Sequence, residues 1–351
     1  MSNKSFWLNC TECEEWEDLL ARFPDRFRDV YYYPEYVGLY ENSSNKATCF
    51  AYTKKDKIFL YPFLIQSISG PGDYKDISTP YGYGGPISNT TDAGFLKDAM
   101  SRLSERLKSN NVIAEVIKFH PLLRNNEIFE SVYEGKFVRT CPTVYADIQI
   151  DDEDLRWMKI YSHSNRKNIK KAERNNVIVE FSSNRSTWEK FRHLYEMNLI
   201  ENRASEMYFF SDEYFERFKE KLKGKYVIAS CLINEEVVSS LLVIFGTEYA
   251  HCHLIGTKKD KKQIGVNNLL HHKVIDWCKN KGFSQLHIGG GRSNSDEDSL
   301  LRFKKNFSDK ISYFFVGERV INHLIYDELC EEWYKKYPNK ETPYLLKYRV
   351  S

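Results

Sequence analysis

Apolar and polar positions alternate in two recognisable rhythms along this chain. Trp16, Leu19, Leu20 and Phe23 fall on one stripe and predict a helix from about Thr11 to Arg22. Residues 47–53 (ATCFAYT) and 57–65 (KIFLYPFLI) read as two strands joined by a Lys-Lys-Asp turn. A Gly/Pro-rich loop follows at 70–86, then a helical pattern at 92–109 and an apolar strand, NVIAEVIKF, at 111–119. The same order returns later. YVIASCLI (226–233) and EVVSSLLVIF (236–245) flank an Asn-Glu turn, and EYAHCHLIG (248–256) predicts a third strand. A loop, a helix over about 268–281 stopped at Lys281-Gly282, and the strand SQLHIG (284–289) close the second copy. Hairpin, loop, helix, strand is therefore an internal structural repeat.

The repeat sharpens what length says. At roughly 150 residues per domain, a chain of 351 residues predicts about two domains. The expected division is 1–150 and 151–351, the second carrying a helical tail, in an α/β (α+β) class. Aromatic residues reach 15%, which argues against disorder. The net charge of +2 excludes a histone-like or polyanionic protein. The start of the chain lacks a signal-peptide core, and the longest apolar run is too short for a membrane helix. Eight scattered cysteines read as buried thiols, so the expected location is cytoplasmic. Cys10-Thr11-Glu12-Cys13 has no second ligand pair at zinc spacing, and no metal site is expected.

Candidate chemistry concentrates in the second copy. Lys258, Lys259, Lys261 and Lys262 precede Gly265 and the start of a helix. Helix N-termini carry unpaired N–H groups and partial positive charge, so this junction suits an anion or pyrophosphate. The bland alternative is a solvated basic loop capped by Asn267. Arg166, Lys167, Lys170, Lys171 and Arg174 form a second basic cluster, largely on one helix face, suited to phosphates or merely to water.

The strand, loop, helix, strand order resembles the GNAT acyltransferase core, although Gln263-Ile264-Gly265-Val266-Asn267 is a poor match to its Q/R-x-x-G-x-G/A loop signature. From Asn267 onward the likeness is more specific. The segments NNLLHHKVIDWCKNKGF, LHIGGG and DSLLRFKKNF are similar to the C-terminal half of FemABX-related acyltransferases. RKNIKKAERN (166–175) and PYGYGGP (80–86) are similar to other segments of that group, the latter in a polysaccharide-associated branch. No long heptad segment is present, so the likeness is to members without a coiled-coil arm.

The resemblance implies tandem GNAT-like domains, each a mixed twisted sheet flanked by helices. It implies transfer of an acyl or aminoacyl group to an amine of a cell-envelope precursor, a peptidoglycan peptide or a surface-polysaccharide amino sugar. The implied donor is acyl-CoA or aminoacyl-tRNA, neither bound tightly. Implied partners are a small-molecule or lipid-linked precursor, tRNA for one of the two donors, and no DNA. There is no membrane span, while peripheral contact with a membrane remains compatible.

Lys304, in Phe303-Lys304-Lys305-Asn306-Phe307, is expected to place charge near the acyl carbonyl or the donor phosphates. His253 and Asp298 are candidate bases. Gln263, Gly265, Asn267, Asn268, Gly289, Gly290 and Gly291 are expected around the donor. Tyr81, Tyr83, Gly84, Arg166, Lys170 and Lys171 are expected around the acceptor. Two other readings compete: an acetyl-CoA-dependent N-acetyltransferase acting on a nucleotide-activated amino sugar, and a non-catalytic glycan- or nucleic-acid-binding protein of the same fold.

Overall fold

A computed structural model describes residues 3–70, 72–149, 152–293, 295 and 297–350. Pro71 of the first Gly/Pro-rich loop and residues 150 and 151, where the domain division was expected, lie outside the described residues. In chain order the first elements are β1 (Lys4–Asn9), α1 (Cys13–Ala21), α2 (Pro34–Val37), β2 (Asn45–Lys54) and β3 (Lys57–Ser67). Next come β4 (Lys75–Ser78), β5 (Ile87–Ser88), α3 (Ala93–Ser109), β6 (Val112–Lys118), α4 (Asn125–Phe129) and β7 (Lys136–Asp147). The chain continues with α5 (Glu153–Leu155), α6 (His163–Arg174), β8 (Ile178–Ser182), α7 (Arg185–Glu201) and α8 (Asp212–Lys221). It then forms β9 (Tyr226–Ile233), β10 (Glu236–Phe245), β11 (Tyr249–Thr257), α9 (Val266–Lys281) and β12 (Gln285–Gly290). It ends in α10 (Ser299–Lys305), β13 (Ile311–Val320) and α11 (His323–Lys336).

The chain forms two compact units, Met1–Thr140 with Phe314–Ser351, and Cys141–Tyr313. In the first, β1, β2, β3 and β4 pair antiparallel in sequence. α3 carries the chain over so that β6 lies parallel to β4, and β13 closes the sheet antiparallel to β6. In the second, β8, β9, β10 and β11 pair antiparallel, α9 carries the chain over so that β12 lies parallel to β11, and β7 closes antiparallel to β12. The two sheets thus repeat one topology, and each is closed by a strand from the other half of the sequence.

That exchange explains where the structure departs from the expected division. The tail beyond residue 313 returns to the first unit because β13 pairs with β6 and Leu346 is buried there with Ile113, Ala114 and Val116. Arg349 donates to Asp76 at 2.6 Å and fixes the end of the tail on β4.

Local chemistry accounts for the elements. Asn234 and Glu235 both adopt positive φ (47° and 66°), the geometry that a two-residue hairpin requires. α9 buries Val266, Leu269, Leu270, Val274, Ile275 and Cys278 against the second sheet and stops at Gly282, with φ +81°. α3 buries Phe95, Leu96, Ala99, Leu103 and Leu107 against the first. Among the described residues no helix is long and apolar enough to cross a membrane.

Candidate active site

The parallel pairing of β11 and β12 covers only Tyr249–His251 with Gln285–His287. Both strands run on, β11 to Thr257 and β12 to Gly290, without rejoining. β12 continues to pair with β7 on its other side, and β11 with β10, so the gap opens within an otherwise bonded sheet. The β10 register pairs Leu242 with Leu254 and Val243 with Cys252, which makes His253 the extra residue of a β-bulge. Bulges re-aim side chains beside functional sites.

α10 aims Lys304 toward this gap. Leu301 is fully buried and anchors the helix, while Phe303 and Phe307 clasp the His271 ring, edge-on at 5.3 Å and stacked at 5.1 Å. With both phenylalanines held, Lys304 is directed onto the end of β12, where its amine donates to the Gly290 carbonyl at 2.9 Å. Burial pulls the Lys304 amine down to about 8, against partial opposition from Cys252 and Asp298. At pH 7 about one-tenth of such an amine is neutral.

Each glycine of the Gly289–Gly291 run answers a specific neighbour. A Cβ on Gly289 would sit 2.8 Å from the Lys304 amine, and its φ of +96° also favours glycine. A Cβ on Gly290 would meet the Pro142 carbonyl oxygen at 3.0 Å, and one on Gly291 the Asp298 carboxylate at 2.6 Å. The run is shaped first by the protein's own groups, with Gly289 making room for the lysine.

Asp298 does not fit the expected role of base. One carboxylate oxygen accepts from the backbone of Leu300 and Leu301, the other from the backbone of Arg292 and Ser293 and the Ser293 hydroxyl. These bonds, Leu301 first, hold its pKa below the ordinary carboxylate range, so it stays charged, organises the loop and caps α10. His253 is also a poor base. Burial, with a smaller push from His251, drives it down to about 3, and its ring stacks on Phe218 of α8.

The start of α9 is likewise more internal than expected. Gly265 has φ +88° and a Cβ there would lie 2.3 Å from the Asn168 carbonyl oxygen, so this glycine admits α6. The Asn267 side chain accepts from Ser239 and Thr257, each at 2.9 Å. Asn268 donates to Asn165 at 2.8 Å, and Asn165 donates to the Asn306 carbonyl. This amide relay joins α9, α6 and the end of α10. Gln263 keeps an exposed side chain, and its carbonyl accepts from Lys171 at 2.8 Å. What the helix start offers an anion is its backbone N–H groups beside exposed Lys259 and Lys262, since Lys258 pairs with Glu236 and Lys261 with Asp260.

Of the basic helix, Lys170 lines a groove of about 680 Å³ with His163, Arg166, Lys167, Glu173 and Arg174. Arg166 is committed to structure as well, donating to the carbonyls of Trp157, Met158 and Tyr161. Lys171 leaves the groove for the Gln263 carbonyl.

The aromatic-glycine loop lies in the first unit and is a packed turn. Tyr83 contacts Tyr31, His120 and Phe314 with ring centroids 5.3–6.1 Å away. The Tyr81 carbonyl accepts from Tyr36, and the Gly84 carbonyl from Tyr32 and Asn125. Here the gap seen in the second unit is sealed. Thr79 N–H bonds Val116, the Thr79 hydroxyl accepts from Lys118 N–H, and Gly84 bridges Phe119. The equivalent helix, α3, is capped by the Asp92 carboxylate, which accepts from Phe95 N–H at 2.7 Å and repels a second anion.

Sequence reasoning read His271 with His272 as ordinary helix surface and core, and gave Asn165 and Asn306 no role. Their signal was the spacing of Phe303 and Phe307, four apart on one helix face, which demands a common partner.

Comparison with known proteins agrees with this arrangement. Residues 162–305 match the family model for the acetyltransferase (GNAT) domain. FemX is similar in structure, with a TM-score of 0.70 and 12% identity, covering 93% of this chain and 99% of FemX. The C-terminal domain of a putative lysylphosphatidylglycerol synthetase from Agrobacterium fabrum gives a TM-score of 0.57 at 10% identity, covering 91% and 94%. A tandem GNAT protein from the clavulanic acid biosynthesis pathway gives 0.50 at 8%, covering 90% and 98%. No curated protein sequence matches. The sheet gap, α9 and the matched domain define an acyltransferase enzyme of GNAT fold. The solved structures, at 8–12% identity, show the fold alone, which this chain shares with FemX and with a tandem GNAT protein.

Proposed function

We propose that the second unit transfers an acyl or aminoacyl group to an amine of a cytoplasmic cell-envelope precursor, a peptidoglycan peptide or a polysaccharide amino sugar. The observation that carries this reading is the open β11–β12 gap with the Lys304 amine at its edge. A donor carbonyl laid in the gap meets strand backbone that has lost its sheet partner. The incoming amine attacks the carbonyl carbon, and the tetrahedral oxyanion then expels a thiolate or a ribose alkoxide, which takes the proton lost by the amine. Lys304, mostly charged at pH 7, stabilises the negative charge on the oxyanion or on the donor phosphates. The start of α9 with Lys259 and Lys262 receives the donor's anionic end. The basic groove on α6 receives phosphates of the acceptor.

Likeness to FemX and to a lysylphosphatidylglycerol synthetase domain supports keeping an aminoacyl ester beside an acyl thioester as donor. Labelled acetyl-CoA and charged tRNA, each offered with muropeptide and nucleotide-amino-sugar acceptors, test the proposal. Transfer in one donor arm, lost in Lys304→Met, is expected. No transfer across the panel overturns it. Saturable thermal stabilisation by CoA and none by charged tRNA would select acetyl transfer to an amino sugar.

A further inference from the structure

The second unit holds a side-chain cluster outside the acyl-transfer site. His272 and Asp276 lie four apart on α9, and Glu153 approaches them from α5. One potential ligand atom from each falls within 4.8 Å of the others. The His272 side chain is 6% exposed and Asp276 23%. The Nδ1 of His272 is engaged with the Tyr161 hydroxyl at 3.3 Å, which orients the ring and turns Nε2 toward the carboxylates. Nε2 stands 3.6 Å from Oδ2 of Asp276, beyond a hydrogen bond. Two ligands on one zinc ion at about 2.0–2.1 Å are separated by roughly 3.3 Å, so little movement admits an ion between them. The other oxygen of Asp276 takes Arg156 at 2.5 Å, which fixes the carboxylate as outer-shell partners fix metal ligands.

We propose that Glu153, His272 and Asp276 form a binding site for a divalent transition-metal ion, which ties α5 to α9. One imidazole and two carboxylates suit Zn²⁺, Co²⁺ or Mn²⁺ better than Ca²⁺ or Mg²⁺, which prefer oxygen alone. Binding uses the tautomer in which Nδ1–H donates to Tyr161 and Nε2 keeps its lone pair. Lys273 stands 3.6 Å from Oδ2 of Asp276 and is 43% exposed, so it can swing into solvent as the ion arrives.

Equilibrium dialysis and visible spectroscopy of the full chain with Co²⁺, followed by Zn²⁺ competition, test this. One Co²⁺ per chain is expected, with ligand-field bands, no thiolate charge-transfer band, and displacement by Zn²⁺. Glu153 is exposed, so Glu153→Gln should fold normally and weaken binding at least tenfold. His272→Gln should abolish the bands. Cys10→Ser with Cys13→Ser removes the competing thiols and should change nothing. Absence of binding by the native chain, or binding undiminished in Glu153→Gln, overturns the proposal.

Discussion

Lys304 shows how much one side chain's surroundings decide. Its identity as a candidate was legible in the Phe-Lys-x-x-Phe segment, but its lowered pKa was not, because burial depends on where β12 ends. As a cation at the transition state it should give activity that falls as pH rises through about 8. A general base would give the opposite limb. Lys304→Met should lower kcat by two to three orders of magnitude and erase the limb. Lys304→Arg should move it beyond the accessible range. Stability carries the matching sign. The folded-state pKa lies below the unfolded value of about 10.5, so the burden of burying charge is full below pH 8 and relieved between 8 and 10.5. Gly289→Ala should act through the same amine. Its added methyl displaces Lys304, so the rate should fall while the protein, read by far-UV circular dichroism, stays folded. Asp298, just after the glycine run, and His253, on the strand at 248–256, were legible as titratable candidates. Their spent oxygens and stacked ring were not, because such partners come from distant positions.

Among elements, hairpins and crossover helices were the most legible, because period-two and period-3.6 patterns with a turn residue between them are local signals. The strands at 226–233 and 236–245 fall where the pattern placed them. β1, β8, α7 and α8 gave no such warning. β8 is short and has no fully buried residue, and the one buried face of α7 (Trp188, Phe191, Leu194 and Tyr195) is interleaved in sequence with charged residues that obscure its period. Gly265 illustrates a correct residue with a different reason. It precedes a helix as a phosphate-cradling glycine does, yet the space it leaves is taken by α6. Gly265→Ala should therefore cost about 1–3 kcal/mol, from strained φ plus a clash with backbone, and lower the Tm measured by calorimetry. Were the glycine needed only for a ligand, Tm would hold and donor affinity alone would fall.

For the whole molecule, the repeat was visible in sequence but the exchange of closing strands was not. Each half reads as complete until β13 is seen pairing with β6 and β7 with β12, contacts between residues such as Val316 and Lys118 or Gln285 and Asp147 that no local pattern encodes. Two copies of one topology suggest two donor sites, and the details decide against that. In the second copy the parallel strands part after His251 and His287, and the crossover helix begins at an uncapped glycine among lysines. In the first, Thr79 and Gly84 bond β6 past the same point, Asp92 places a carboxylate on the helix start, and residues 79–92 contain no lysine or arginine. A phosphate brought to α3 would meet like charge where α9 offers free backbone donors. Calorimetric titration with the phosphorylated donor should therefore saturate at one molecule per chain. Charge reversal at Lys259 and Lys262 should weaken that event at least tenfold at low salt, whereas Asp92→Asn should leave the stoichiometry at one. Two equivalent binding events, or one that ignores the lysines, would place the donor elsewhere.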